Sequence, residues 1–261
     1  MKISSRTNEK IKHAVALRKE SSLRSVEGLI FLEGARLCAD AAISGARTVE
    51  LFATQRAWEK YGDLLGNITA VSTYEISDHI SDYLSDTKSP QGVFAVCQRP
   101  PLITALEENG RYLALERLQD SGNLGAILRS AEAFGLNGVI LSRCGDVFSP
   151  KALRGGMGAQ LRLPLCIVDN LPAFFREITS FTSFAAVVDK DALPINKAFA
   201  DIRGGIICVI GNEGGGLSED TVRACTRRMT IPMTGRAQSL NVAAAAAVVG
   251  YELSGIYSLP T

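Results

Sequence analysis

Short runs rich in β-branched and apolar residues alternate with longer segments of helical periodicity along almost the whole chain. Few architectures accept that alternation, because strands and helices that follow one another in this way stack as layers, with helices covering the sheet faces. In the first half the strand-like runs are "GLIFLEG", "VELFAT", "NITAVS" and "QGVFAVCQ". "ARLCADAAIS", "QRAWEKYGDLL" and "STYEISDHISDYL" read as the helices between them. An earlier helix, capped by Asn8, runs to about Glu20 with Ile11, Val15 and Leu17 among its apolar positions. The expectation is a three-layer α/β domain over residues 1–103. "CQRPPLITALEENG" is its exit, where Pro100 and Pro101 break structure and a linker runs to about residue 109.

A second domain is expected over residues 110–261, with longer apolar runs: "RYLALERL", "NGVILS", "LRLPLCIV", "SFAAVVD" and "GIICVIG". Runs without a polar face fit a parallel sheet buried on both sides. "NLGAILRSAEAFG" between the first two is helical, with Ile127, Leu128, Ala131 and Phe134 as its stripe and Gly135 as its stop.

Composition excludes several classes. No apolar run reaches the roughly 18 residues that would suggest a membrane span. The charged start, "MKISSRTNEKIKHAV", has no apolar core of a secretory signal, so the expected location is the cytoplasm. The six cysteines form no CxxC pair and fit reduced thiols. With His13 and His79 as the only histidines, no metal site is expected. Residues 1–24 carry Lys2, Arg6, Lys10, Lys12, Arg18, Lys19 and Arg24 against Glu9 and Glu20. Such a stretch suits either a phosphate backbone or a solvated helix face.

Three stretches carry candidate chemistry. In "LQDSGNLGAILRSAEAFG" a strand ends, a small-residue loop follows and a helix begins near Asn123. Parallel sheets place ligands at such strand ends. Arg129 is the one cation of this helix, and it either serves a ligand or snorkels from an exposed face. In "CVIGNEGGGLSED" an apolar strand stops at Gly211, Asn212 and Glu213, three glycines follow, and Ser218 can cap the next helix. This is a ligand loop or a plain glycine turn. It is not a dinucleotide fingerprint, because the spacing differs from GxGxxG and Glu213 would repel a pyrophosphate. In "IPMTGRAQSLNVAAAAAVVGYEL" a polar loop leads into a helix with five consecutive alanines, Ala243 to Ala247. Methyl side chains allow close approach by a neighbour, whether sheet, cofactor or second subunit.

In order and content these stretches resemble the SpoU/TrmH family of RNA ribose 2′-O-methyltransferases, within the SPOUT superfamily. The family's N-x-G-x-I-x-R-x-A-x-x-F-G is matched by Asn123 to Gly135, its second motif by "IGNEGGGLSE" and its third by "IPMTGRAQSLNVAAAAA". More weakly, "LRKESSLRSVEGLIFLEGARLCADA" is similar to an N-terminal RNA substrate-binding domain with a ribosomal-protein-like fold. One departure is "DSGN" where many relatives have Asp-Pro before the asparagine loop. The resemblance implies a parallel sheet with a deep trefoil knot, a homodimer built on the knot, and S-adenosylmethionine as cofactor. Carried over, Gly211, Ile231, Met233 and Leu240 bind the cofactor. Arg129 aligns the target phosphate and polarises the hydroxyl, with deprotonation of that hydroxyl as the variant, while Asn123 contacts RNA or braces Arg129. Glu213, Ser239 and Asn241 organise the pocket around the substrate ribose, and Lys151 and Arg154 in "SPKALRGGMGA" are candidates for phosphate contact.

The expected activity is therefore methyl transfer to a ribose 2′-hydroxyl, with 23S-type ribosomal RNA as substrate. A tRNA methyltransferase and a non-catalytic RNA-binding relative are the alternatives. The missing fingerprint and Glu213 speak against a nucleotide-dependent dehydrogenase.

Overall fold

The computed structural model describes residues 2–200 and 202–255 and divides into two compact units. The first comprises residues 1–101 and 146–162. Its strands are β1 (Lys2–Ile3), β2 (Leu29–Glu33), β3 (Thr48–Thr54), β4 (Ala70–Ile76) and β5 (Val93–Gln98). They form one sheet in the order β1-β4-β3-β5-β2, parallel except where β5 pairs with β3 and β2. Helices α1 (Glu9–Lys19), α2 (Ser21–Glu27), α3 (Ala35–Ile43), α4 (Gln55–Leu65) and α5 (Asp78–Leu84) connect the strands. Asn8 caps α1 by accepting from the Lys10 amide at 2.9 Å, and Ile11, Leu17, Phe31, Phe52 and Phe94 are fully buried in one cluster.

"STYEISDHISDYL" departs from the helical expectation. Its first residues continue β4, where Tyr74 and Ile76 are buried and Val71 and Thr73 are exposed. Period-two burial of β-branched and aromatic residues favours a strand, and Tyr74 stacks on Phe52 with centroids 5.3 Å apart. The helix starts only at Asp78.

The second unit comprises residues 102–145 and 163–261. It opens with β6 (Arg111–Glu116), α6 (Ser121–Ala133) and β7 (Gly138–Ser142). The chain then contributes α7 (Pro150–Gly155) to the first unit. After it come β8 (Leu165–Ile167), α8 (Leu171–Glu177), β9 (Phe181–Ala186), β10 (Leu193–Pro194), α9 (Ile195–Ala198), β11 (Gly205–Ile210), α10 (Glu219–Ala224), β12 (Arg227–Thr230) and α11 (Val242–Ser254). All seven strands run parallel in the order β10-β12-β9-β11-β6-β7-β8. Every residue of β7 and β11 is buried, as unbroken apolar runs require. "LRLPLCIV" yields only a three-residue strand, since Leu161 closes a 3₁₀ turn and Pro164 interrupts the run.

Segment 146–162 lies in the chain between two strands of the second unit yet completes the first. Arg24, 4% exposed, donates to Asp146 through Nε at 2.8 Å. Arg154 reaches Glu33 at 3.1 Å and Asp86 at 2.9 Å, so its charge is neutralised within the fold rather than held out for phosphate. Hydropathy cannot reveal such an insertion, because its apolar residues look alike whichever core receives them. The basic N-terminal stretch is likewise engaged internally: Lys10 pairs with Glu50 at 2.6 Å, Arg18 donates to the carbonyls of Tyr83 and Leu84, and Arg6 lies over the Tyr83 ring.

Candidate functional site

Three loops meet beyond the carboxyl ends of β9, β11 and β12 and line an open-sided cavity of about 400 Å³. The β11 loop is a compact turn. Asn212 Oδ1 accepts from the amides of Gly214 and Gly215 at 3.1 and 2.7 Å, and the Gly216 amide returns to the Asn212 carbonyl at 3.0 Å. A Cβ on Gly211 would overlap the Gly216 carbonyl and the Leu217 amide, so the turn can close only with glycine there. Ser218 caps α10, as its sequence position suggests.

The sequence-derived cofactor positions Gly211, Ile231, Met233 and Leu240 all line this cavity, together with Glu213 and Ser239. Its walls are mainly apolar, with Leu217, Met229, Val242 and Val249 beside backbone of the glycine turn. Such a lining fits a flat heteroaromatic ring held by apolar walls and main-chain groups, and it offers no cationic cradle for a pyrophosphate. Residues that the sequence reading missed complete the wall: Ala186, Val187 and Val188 where β9 ends, with Val188 70% exposed. The signal was present, since the apolar run of "SFAAVVD" outlasts the strand it forms.

Asn123 ties the three motifs together. Its side chain donates to Glu213 and accepts from Asn241 Nδ2 at 3.5 Å. Asn241 is also the α11 cap, accepting from the Ala243 amide at 2.9 Å. Asp120 caps α6 by accepting from the Asn123 amide at 2.8 Å, which supplies the rigidity that "DSGN" lacks in a proline. Arg129 is not part of this relay. It sits about 9 Å further along α6, exposed and with no hydrogen bond or ion pair among the described residues, so Asn123 does not brace it.

The alanine helix α11 packs against α6, β6 and β11, with Ala246 buried. Contact is close enough that a Cβ on Gly250 would lie 3.2 Å from the Phe134 ring. Its other face exposes Ala244, Val248 and Tyr251, spaced at one helical period.

At the end of β6, Glu116 is 5% exposed and accepts from the Ser218 amide at 2.7 Å, Ser218 Oγ at 2.9 Å and Thr221 Oγ1 at 2.7 Å. Burial alone would raise its pKa. The hydrogen bonds from Ser218 and Thr221, with the Arg117 charge, outweigh that and hold it below the ordinary carboxylate value. A carboxyl whose pKa falls on folding stabilises the fold above its unfolded-state pKa, and that contribution is lost as pH drops through the folded-state value. Thermal unfolding is therefore expected to be insensitive to this group at roughly pH 6 to 8 and to lose stability below about pH 4. Glu116→Gln should flatten the acid limb, and parallel acid limbs for the two proteins would refute the assignment.

With this geometry in view, the comparisons with known proteins decide the family. Residues 110–251 match the SpoU rRNA Methylase family and residues 8–95 the MRM3-like substrate binding domain. The chain belongs to the SpoU rRNA methylase family. It is 30% identical over 194 residues to the 23S rRNA (guanosine(2553)-2′-O)-methyltransferase RlmP of Bacillus subtilis, covering 72% of this chain and 74% of that one. It is 30% identical to the 23S rRNA (guanosine-2′-O-)-methyltransferase RlmB of Acinetobacter baylyi, covering 88% and 94%. The crystal structure of an AdoMet-bound rRNA methyltransferase from Sinorhizobium meliloti superimposes with a TM-score of 0.84 at 25% identity, covering 99% of both chains. Both units of this SpoU methylase thus have counterparts in a solved relative. Among its described residues no helix is long and apolar enough to cross a membrane.

Proposed function

We propose that this protein transfers a methyl group from S-adenosylmethionine to a ribose 2′-hydroxyl of ribosomal RNA, of the 23S type, in the cytoplasm. The observation that carries the reading is the convergence of the glycine turn, the 231–240 loop and the Asn241–Asn123–Glu213 relay on one apolar cavity. The bound cofactor supplies a methyl group already activated by a sulfonium, so the protein's part is to position the hydroxyl and manage its proton. Glu213 and Ser239, at the cavity wall, hold the ribose, and Asn123 fixes the Glu213 carboxylate. Arg129 aligns a phosphate of the RNA and polarises the hydroxyl. A guanidinium stays protonated at working pH, which suits that role better than proton abstraction.

The apolar stripe Ala244, Val248 and Tyr251 supports a homodimer built on α11, and the deep trefoil knot belongs to the same reading. Light scattering that returned a monomer at working concentration would remove the dimer. Gly211→Ala is expected to force the turn open and to weaken S-adenosylmethionine binding at least about tenfold in calorimetry. Unchanged affinity would mean that the cofactor lies elsewhere. The decisive experiment incubates the protein and labelled cofactor with unmodified ribosomal and transfer RNA and maps the label. Label on a 2′-oxygen of ribosomal RNA supports the proposal. Label on transfer RNA moves the substrate, label on bases removes the ribose assignment, and failure to bind cofactor identifies a non-catalytic relative.

A further inference from the structure

Glu116 is the only charged residue among the last five of β6, "YLALE", and a buried charge is costly unless it is well paired. An apolar residue would continue the strand without that cost, so its hydrogen bonds indicate what it does there. All three come from one place, the cap and first turn of α10. That cap is where the glycine turn ends. The turn also begins beside Glu116: Leu115 pairs in register with Ile210, and Gly211 follows as the first residue of the turn. Both ends of the 211–217 segment are therefore anchored on the end of β6, one by the strand ladder and the other by this carboxylate. Between the anchors the turn closes on itself through Asn212, which accepts from the amides of Gly214, Gly215 and Gly216, and these bonds form only while both ends are held. Its tilt over the cavity is set by where its ends are fixed.

We propose that Glu116 is a positioning residue for the cofactor, holding the exit of the glycine turn at Ser218 so that the main chain of residues 211–217 stands at the cavity wall before the cofactor arrives. It lines no part of the cavity and acts only through Ser218 and Thr221. The inference rests on the cofactor reading above. Preorganisation of this kind appears in affinity, because a ligand that must first order its own wall binds more weakly by the fraction of time the wall is formed.

Two substitutions test it in the full-length protein. Glu116→Gln keeps the shape but removes the charge and one of the two acceptor oxygens, so the Ser218 amide and the Ser218 and Thr221 hydroxyls can no longer all donate to it. Thr221→Val removes one of the three hydrogen bonds at nearly constant volume. Calorimetric titration with S-adenosylmethionine is expected to show about tenfold weaker binding for Glu116→Gln and about threefold for Thr221→Val, with the double variant no weaker than Glu116→Gln alone. In the cofactor-free proteins, amide hydrogen exchange should accelerate over residues 211–218 and stay unchanged in β7 and α11. KM for the cofactor should rise while kcat at saturation holds. A purely structural role would lower the melting temperature without moving the affinity of the folded protein or the local exchange. Wild-type-like affinity and exchange at 211–218 in folded Glu116→Gln would overturn the proposal. If that variant does not fold, the same two results in Thr221→Val would do so. Wild-type protein that bound no S-adenosylmethionine would instead defeat the cofactor reading, and the exchange measurement would still decide whether Glu116 holds the turn.

Discussion

Arg129→Ala is expected to reduce methyl transfer by about 10²- to 10³-fold, the usual loss when one group aimed at developing charge is removed. Melting temperature and cofactor affinity should not change. The reason is structural: the guanidinium is exposed and has no partner among the described residues, so its removal leaves nothing in the fold unsatisfied. An effect confined to turnover would identify a group that meets only the RNA. Arg129→Lys separates its two proposed duties, because a lysine keeps the charge but loses the planar fork. Full turnover in Arg129→Lys would defeat both, and a fall in stability of Arg129→Ala would mean that the side chain has a structural partner.

The largest loss of stability is expected in the first unit, at a residue that does not line this cavity. Asp146→Ala leaves Arg24 almost fully buried with only the carbonyls of Leu17 and Arg18 as acceptors. Breaking a buried pair from one side costs about 3–5 kcal/mol. Asp146 is partly exposed, its side chain at 21%, which favours the lower end of that range. At about 2–4 °C per kcal/mol for a chain of this size, the melting temperature should fall by roughly 6–12 °C. Differential scanning fluorimetry reads this directly, and a shift under about 2 °C would show that the pair contributes little. Because the residue lies outside the cavity, cofactor affinity at a temperature where the variant is folded should match the wild type.

Much of the fold could be read from the sequence, since strands buried on both faces leave unbroken apolar runs and some helix starts carry a readable cap. Asn8 and Ser218, both readable as caps, each cap a helix in the structure. The start of "STYEISDHISDYL" is ambiguous because five residues of mixed polarity satisfy a helical and an alternating pattern equally well, and pairing with β3 and β1 settles it. The cavity positions were accessible through motifs. The role of Asn123 was not, because a side chain that bridges Glu213 and Asn241 links residues about 90 and 118 positions away. Glu116 escaped for the same reason: a glutamate at a strand end reads as solvent-facing until its three donors are seen. The basic N-terminal stretch shows the converse, since charge counted along a chain takes no account of the acidic and carbonyl oxygens that fold against it.

The placement of segment 146–162 has a consequence for synthesis on the ribosome. The N-terminal sheet is complete once residue 98 has been made, yet Arg24 and Glu33 still lack Asp146 and Arg154. About 60 more residues, through Arg162, must be translated first. At typical elongation rates that is an interval of roughly 3–12 s. During it the nascent first unit exposes the surface that Phe148 and Leu153 will cover, which makes this interval, rather than the finished enzyme, the stage most open to chaperone binding.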